Sequence, residues 1–178
     1  MIITISGTLG SGEKSVAMIL ARKLKMSHHS GGEFIRNIAE RRDISLEEFT
    51  KIAEKDTSID LELDHTIAED GITKDNFIID AKLGFHFIQK SVKIFLDADF
   101  DERVRRRFTR DIRNELNVTL ESVANKLRKI HESDKKRFLE KYNVDFTDPK
   151  NYNLIIDTTC LSLQEVADKI ETFLKSFL

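Results

Sequence analysis

A chain of 178 residues with 29 Lys and Arg against 31 Asp and Glu carries a formal net charge of −2. That balance gives no bulk electrostatic case for nucleic acid or an anionic membrane. Apolar residues at 40% and charged residues at 34% suit one α/β domain with a real core and a solvated surface. Cys160 is the only cysteine, which excludes an intrachain disulfide and a cysteine metal cluster and leaves it a small packing residue. No apolar stretch is long enough to span a bilayer, and the N-terminus lacks the basic region and cleavage site of a signal peptide. The expectation is a cytoplasmic protein.

In chain order, Ile2 to Ser6 is a β-branched run ending at Gly7 and reads as a strand buried on both faces. Val16, Ala17, Ile19, Leu20 and Leu24 recur at helical spacing over Lys14 to Leu24. "MSHHS" reads as a second strand, stopped by Gly31-Gly32, and "EFIRNIAERR" as a helix. "SLEEFTKIAEK" opens with Ser45 and Glu48 in capping-box spacing, and the acidic "DTSIDLELDHTIAED" predicts a further helix stopped by Gly71. "NFIID" (76–80) and "VKIFLDA" (92–98) are the next strands, followed by the arginine-rich "DERVRRRFTRDIRNEL". A long helix is expected from about Thr119 to Tyr142, then a strand in "YNLIIDTT" and a closing amphipathic helix in "SLQEVADKIETFLKSFL". Pro149, the only proline, falls in the turn before that strand. Strands alternating with helices predict a parallel sheet covered on both faces, in a single domain.

"GTLGSGEKSVA" (7–17) follows the first strand directly. Glycines at 7, 10 and 12 let a backbone curl so that several N–H groups meet one phosphate, and the following helix dipole adds attraction. The phosphate-loop pattern continues Gly-Lys-Ser/Thr, the lysine reaching the β- and γ-phosphates and the hydroxyl holding magnesium. Here Glu13 stands in the lysine position, Lys14 in the hydroxyl position, and Ser15 one place late. Binding of phosphate is therefore better supported than catalysis. A strand–glycine turn–helix junction that serves packing alone is the bland alternative.

Beyond the loop, the chain resembles the archaeal-type cytidylate kinases, a branch of the nucleoside monophosphate kinases, over nearly its whole length. The resemblance rests on "IITISGTLGSG", "SGGEFIR", "SLEEFTKIAEKDTSIDLELD", "NFIIDAKLGF", "KIFLDADFDERVRRRFTRD" and "ESDKKRFLEKYNVDFTDPKNYNLIIDTT", in that order. It implies a P-loop kinase fold of a parallel sheet with helices on both faces. The core would be residues 1–30, 72–100 and 150–178, with a helical acceptor-binding segment at about 31–71 and a lid at about 101–145. It also implies transfer of the ATP γ-phosphoryl group, with Mg2+, to CMP or dCMP.

On that resemblance Gly7, Gly10, Ser11, Gly12, Glu13, Lys14 and Ser15 bind the donor, and Asp157 and Thr158 meet its adenine. Arg36 binds the acceptor phosphate, with Ser30 beside it. Asp60 and Asp64, four apart on one helical face, would meet the base or ribose; a solvated acidic face is their bland reading. Asp80 ends a strand where open α/β sheets bind ligands, and would orient magnesium, with Ser15, or hold the acceptor. Lys82 stands where the family usually carries arginine, keeping charge without the bidentate fork. Arg103, Arg106 and Arg110 share one helical face and match lid arginines, with Arg137 and Lys14 as further catalytic candidates. Ile130 falls where relatives often carry arginine. His28 and His29, adjacent in a strand, diverge to opposite faces and read as structural.

Two other readings stand beside the kinase, which is expected to be monomeric with small nucleotides as its partners. One is a nucleotide-binding or interaction protein of the same fold, disabled by Glu13. The weaker one is RNA binding through the arginine-rich helix, which has no aromatic platform beside it.

Overall fold

The computed structural model describes residues 1–177 except 46–47, 49–51, 53–56 and 115–116, and for 57–60 and 63 only the backbone. Five parallel strands form one sheet in the order β2-β3-β1-β4-β5. They are β1 (Ile2–Gly7), β2 (Ser27–Ser30), β3 (Phe77–Asp80), β4 (Val92–Asp97) and β5 (Leu154–Asp157). The helices are α1 (Glu13–Leu24), α2 (Gly31–Arg41), α3 (Thr57–Thr73), the single turn α4 (Gly84–Phe87), α5 (Phe100–Arg113), α6 (Leu120–Tyr142) and α7 (Leu163–Leu174). Among the described residues, no helix is long and apolar enough to cross a membrane.

Strand periodicity of two sorts the core into faces. Ile3, Ile5, Ile78, Ile94, Leu96 and Ile156 pack with Val16, Ala17 and Leu20 of α1 and Val166, Ile170 and Leu174 of α7. The intervening residues point the other way. Ile2, Phe77 and Ile79 meet Ile67 of α3 and Ile88, while Phe95 joins Leu83, Phe85, Phe138 of α6 and Phe146. β1 is buried along its full length, as its β-branched run predicts for a central parallel strand.

Several boundaries carry the capping chemistry expected of them. Ser162 and Glu165 close a reciprocal capping box on α7, and Thr119 with Ser122 does so on α6. The Ser45–Glu48 box is made as well, Glu48 N donating to Ser45 Oγ at 3.1 Å, though most of the helix expected there lies outside the described residues.

Two expectations are corrected. Gly71 does not end its helix: α3 continues to Thr73. A Cβ on Gly71 would come within 2.8 Å of Ile88 Cγ1, so the glycine serves close packing of α3 on the residue that ends α4. Cys160 is exposed rather than packed, because it sits in the loop after β5, beyond the last sheet residue.

Candidate functional site

The chain passes from β1 to β2 and β3 on one side and then crosses to β4 and β5 on the other, so the strand order reverses at β1. A crevice opens at such a point beyond the carboxyl ends of the strands. Every loop that reaches it leaves a strand end: 8–12 after β1, Gly31 after β2, Ala81–Lys82 after β3, Ala98–Asp99 after β4 and Thr158–Thr159 after β5.

The 8–12 loop is held on both sides. Thr8 N donates to Leu96 O at 3.1 Å and Thr8 Oγ1 to Asp97 Oδ1 at 2.6 Å. Thr158 Oγ1 donates to Ser11 O at 3.0 Å. Gly10 and Gly12 take φ of +94° and +101°, a left-handed backbone that L side chains strain to adopt. A Cβ on Gly10 would also meet Arg103 O at 2.9 Å, so α5 packs directly on the loop. α1 starts at Glu13, and Gly12 offers no side chain to cap it. The first N–H groups of the helix therefore face the crevice, a ready-made anion site.

Glu13 folds back into this cradle. Its Cγ lies 2.9 Å, and Ser11 Oγ 2.7 Å, from where a Cβ on Gly7 would stand. Burial pushes the Glu13 carboxyl up to about 6, against the opposing pull of its own backbone N–H, the Lys82 charge and the Ser11 hydroxyl. Ser11 is 1% exposed, and its Oγ makes no hydrogen bond of normal geometry among the described residues. Lys14 turns outward, its Nζ 3.1 Å from Glu33 Oε1 on α2, and Ser15 is exposed. The helical step of about 100° per residue is the reason: a lysine one position late points to another face.

On the β3 side, Asp80 is a hub. Ser30 Oγ donates to Asp80 Oδ1 at 2.9 Å, and His28 Nε2 lies 2.6 Å from Asp80 Oδ2. The parallel pairing of Ser30 with Asp80 sets both contacts. His29 points to the opposite face, 2.7 Å from Asp70 Oδ2 and stacked on Phe77. Lys82 pairs with Asp134 of α6. Arg36 is half exposed, 3.7 Å from Glu33. Asp64 accepts from Tyr142 and lies 3.7 Å from Lys141, both on α6, so α3 is tied to the long helix. The Asp60 side chain lies outside the described residues.

The arginines divide. Arg103 Nε donates to Ala98 O at 2.9 Å, and Arg106 donates to Thr158 Oγ1, Thr158 O and Thr159 O at 3.0, 2.7 and 3.2 Å. Arg110 is instead exposed and 3.6 Å from its neighbour Asp111. Arg103 and Arg106 thus bond to two different strand-end loops, after β4 and after β5, while Arg110 pairs within α5. Arg137 donates to Asp134 at 3.0 Å. Asp157 accepts from Thr159 N at 2.9 Å. The bonds from Thr159 hold its carboxyl below the usual range.

Two residues at the site were missed in the sequence: Asp97 anchors Thr8, and Asp134 joins Lys82 to Arg137. His28, read as structural, bonds to Asp80. The strand-end rule that selects Asp80 also selects Asp97 in "FLDAD". For Asp134, in the middle of a charged helix, there is no comparable signal. Among the described residues, no three His, Cys, Asp or Glu side chains gather as a metal site. Of the two oxygen donors expected for a cation, Asp80 lies at the end of β3 and is of the kind a hard cation takes, whereas Ser15 is exposed on α1.

A parallel sheet with this order, and a glycine loop opening onto a helix N-terminus at its switch point, define the chain as a P-loop kinase fold. The shikimate kinase of Bacteroides thetaiotaomicron shares that fold, with a TM-score of 0.68, 16% identity and 98% of each chain covered. Residues 2–160 match the cytidylate kinase-like family, and the chain belongs to it. The cytidylate kinase of Halobacterium salinarum is 35% identical over 94% of this chain and 86% of its own length. That of Sulfurisphaera tokodaii is 32% identical over 100% and 97%.

Proposed function

We propose that this protein is a nucleoside monophosphate kinase that transfers the γ-phosphoryl group of ATP to CMP or dCMP. The observation that carries the reading is the anchored glycine loop: left-handed Gly10 and Gly12 lead into an α1 start with no side-chain cap, an arrangement suited to binding phosphate through backbone N–H groups. An acceptor phosphate oxygen bonds to the γ-phosphorus as the bond from that phosphorus to the β–γ bridging oxygen breaks, and ADP leaves. Asp80 and, if α1 turns it inward, Ser15 would hold Mg2+, which would supply charge neutralisation for the phosphates. Ser30 and Arg36 receive the acceptor, with Asp60 and Asp64 towards its base. Asp157 and Thr158 meet the adenine, and Arg103, Arg106, Arg110, Arg137 and Lys82 supply positive charge to the phosphates. Family membership and the polar rim at the strand ends support this assignment. The protein acts as a monomer in the cytoplasm.

The experiment is a coupled ADP-release assay with Mg-ATP and CMP, dCMP, UMP or AMP, run beside a Glu13→Lys/Lys14→Ser double variant. Turnover by the natural protein, fastest with CMP or dCMP, is the expected result. A second reading is favoured by Glu13 in the cradle and Lys14 paired with Glu33: a nucleotide-binding protein of this fold without turnover. A silent natural protein beside an active double variant establishes that reading and sinks the first.

A further inference from the structure

The loop contains an anion of its own. Glu13 is the first residue of α1 and is partly buried. Its Cγ sits over Gly7, beside Ser11 Oγ. Its charged form is favoured there by its own backbone N–H and, with the Lys82 charge, by the Ser11 hydroxyl. The N–H and the hydroxyl are donors that the cradle offers to a phosphate. Ser11 Oγ is a buried hydroxyl with no hydrogen-bond partner of normal geometry among the described residues. Such a group costs stability unless an acceptor approaches.

Nothing adjacent in sequence neutralises the carboxylate, because Lys14 is engaged with Glu33. Lys82 is the cation whose charge acts on it, and Asp80 the opposing anion. Each has a further partner, Asp134 on α6 for Lys82 and His28 on β2 for Asp80.

We propose that the Glu13 carboxylate is a built-in occupant of the phosphate cradle, which a phosphate group of an incoming oligophosphate must expel in order to bind. One N–H cannot serve two anions at once, and placing like charges side by side weakens binding. The device thus sets a threshold: weakly held or singly charged anions are excluded, and only a ligand with enough contacts elsewhere displaces the side chain. The inference rests on the nucleotide-kinase reading for what the ligand is, but not for the occupancy itself.

Inorganic tripolyphosphate, which has no base or ribose, is the probe. Calorimetry at fixed pH and salt would compare the natural protein with Glu13→Gln, which keeps the volume, and Glu13→Ala, which removes it. Both variants should bind roughly tenfold tighter or better, since both lose the competing charge. In the natural protein, the 13C resonance of the Glu13 side-chain carboxyl should move at saturation, a readout independent of whether a variant folds. Affinities equal within about twofold overturn the proposal. So does a stationary carboxyl resonance, or an absence of tripolyphosphate binding in all three proteins. CMP-dependent ADP release, measured on the same samples, separates the two ideas. The affinity pattern without turnover keeps the occupant and sinks the kinase, whereas turnover with equal affinities keeps the kinase and sinks the occupant.

Discussion

The two ends of the same strands follow different rules. Along their middles, beneath α1 and α7, the sheet is aliphatic: Ile3, Ile5, Ile94 and Leu96 are closed off from water by Leu20, Val166 and Ile170. At the carboxyl ends the buried residues become Ser6, Thr8, Ser11, Ser30 and Thr158. Those groups are tolerated because nearly all find partners in neighbouring loops, as Thr8 does in Asp97 and Thr158 in Ser11 O. The aliphatic end supplies stability without direction. The polar end spends part of that stability on fixing backbone N–H groups, and one exception, Ser11 Oγ, lies in the cradle itself beside Glu13.

Four substitutions test that division. Leu20→Ala, at a fully buried site in the aliphatic layer, should cost about 3–5 kcal/mol in urea unfolding. It should leave the substrate profile unchanged; altered base preference would mean the two ends are not separable. Arg106→Ala removes three hydrogen bonds to Thr158 and Thr159. Turnover should fall about a hundredfold, the scale of one lost charge-stabilising donor. A fall in Tm with turnover intact would make Arg106 a structural clamp only.

The third concerns Glu13, whose carboxyl stands at about 6 when folded against an ordinary 4.5. The folded state holds that proton more tightly, so the associated stability is complete below pH 4.5 and lost as pH rises through about 6. Glu13→Gln removes this loss. Its stability relative to the natural protein should therefore improve by about 2 kcal/mol between pH 4.5 and pH 7.5. A difference that does not change with pH would place the carboxyl in water. Smallest is Ser162→Ala, which breaks the capping box of α7 far from the cradle. It should cost about 1 kcal/mol in unfolding with no change in kinetics.

Much of the fold was legible because its signals are local. The β-branched run of β1, the 3.6-residue spacing of α1 and the Ser162–Glu165 cap are each set by neighbours in the chain. Gly71 misled because a glycine in a helix looks the same whether it ends the helix or makes room for Ile88. A strand end marks Asp80 and Asp157 in the sequence as candidates, but partners that come from afar leave no such mark. Lys82 meets Asp134 across 52 positions, and Thr158 meets Ser11 across 147.

By itself the sequence determined the parallel α/β architecture, the glycine loop and the presence of an acid where a phosphate loop expects lysine. Only the tertiary structure decided where that acid goes. Glu13 turns inward because Gly7, Ser11 and the unsatisfied N–H at the start of α1 make a polar recess there, while Lys14 is drawn outward by Glu33 from another helix. A residue's position in a motif is written in the chain, but the direction of its side chain is settled by fields and contacts that folding brings together.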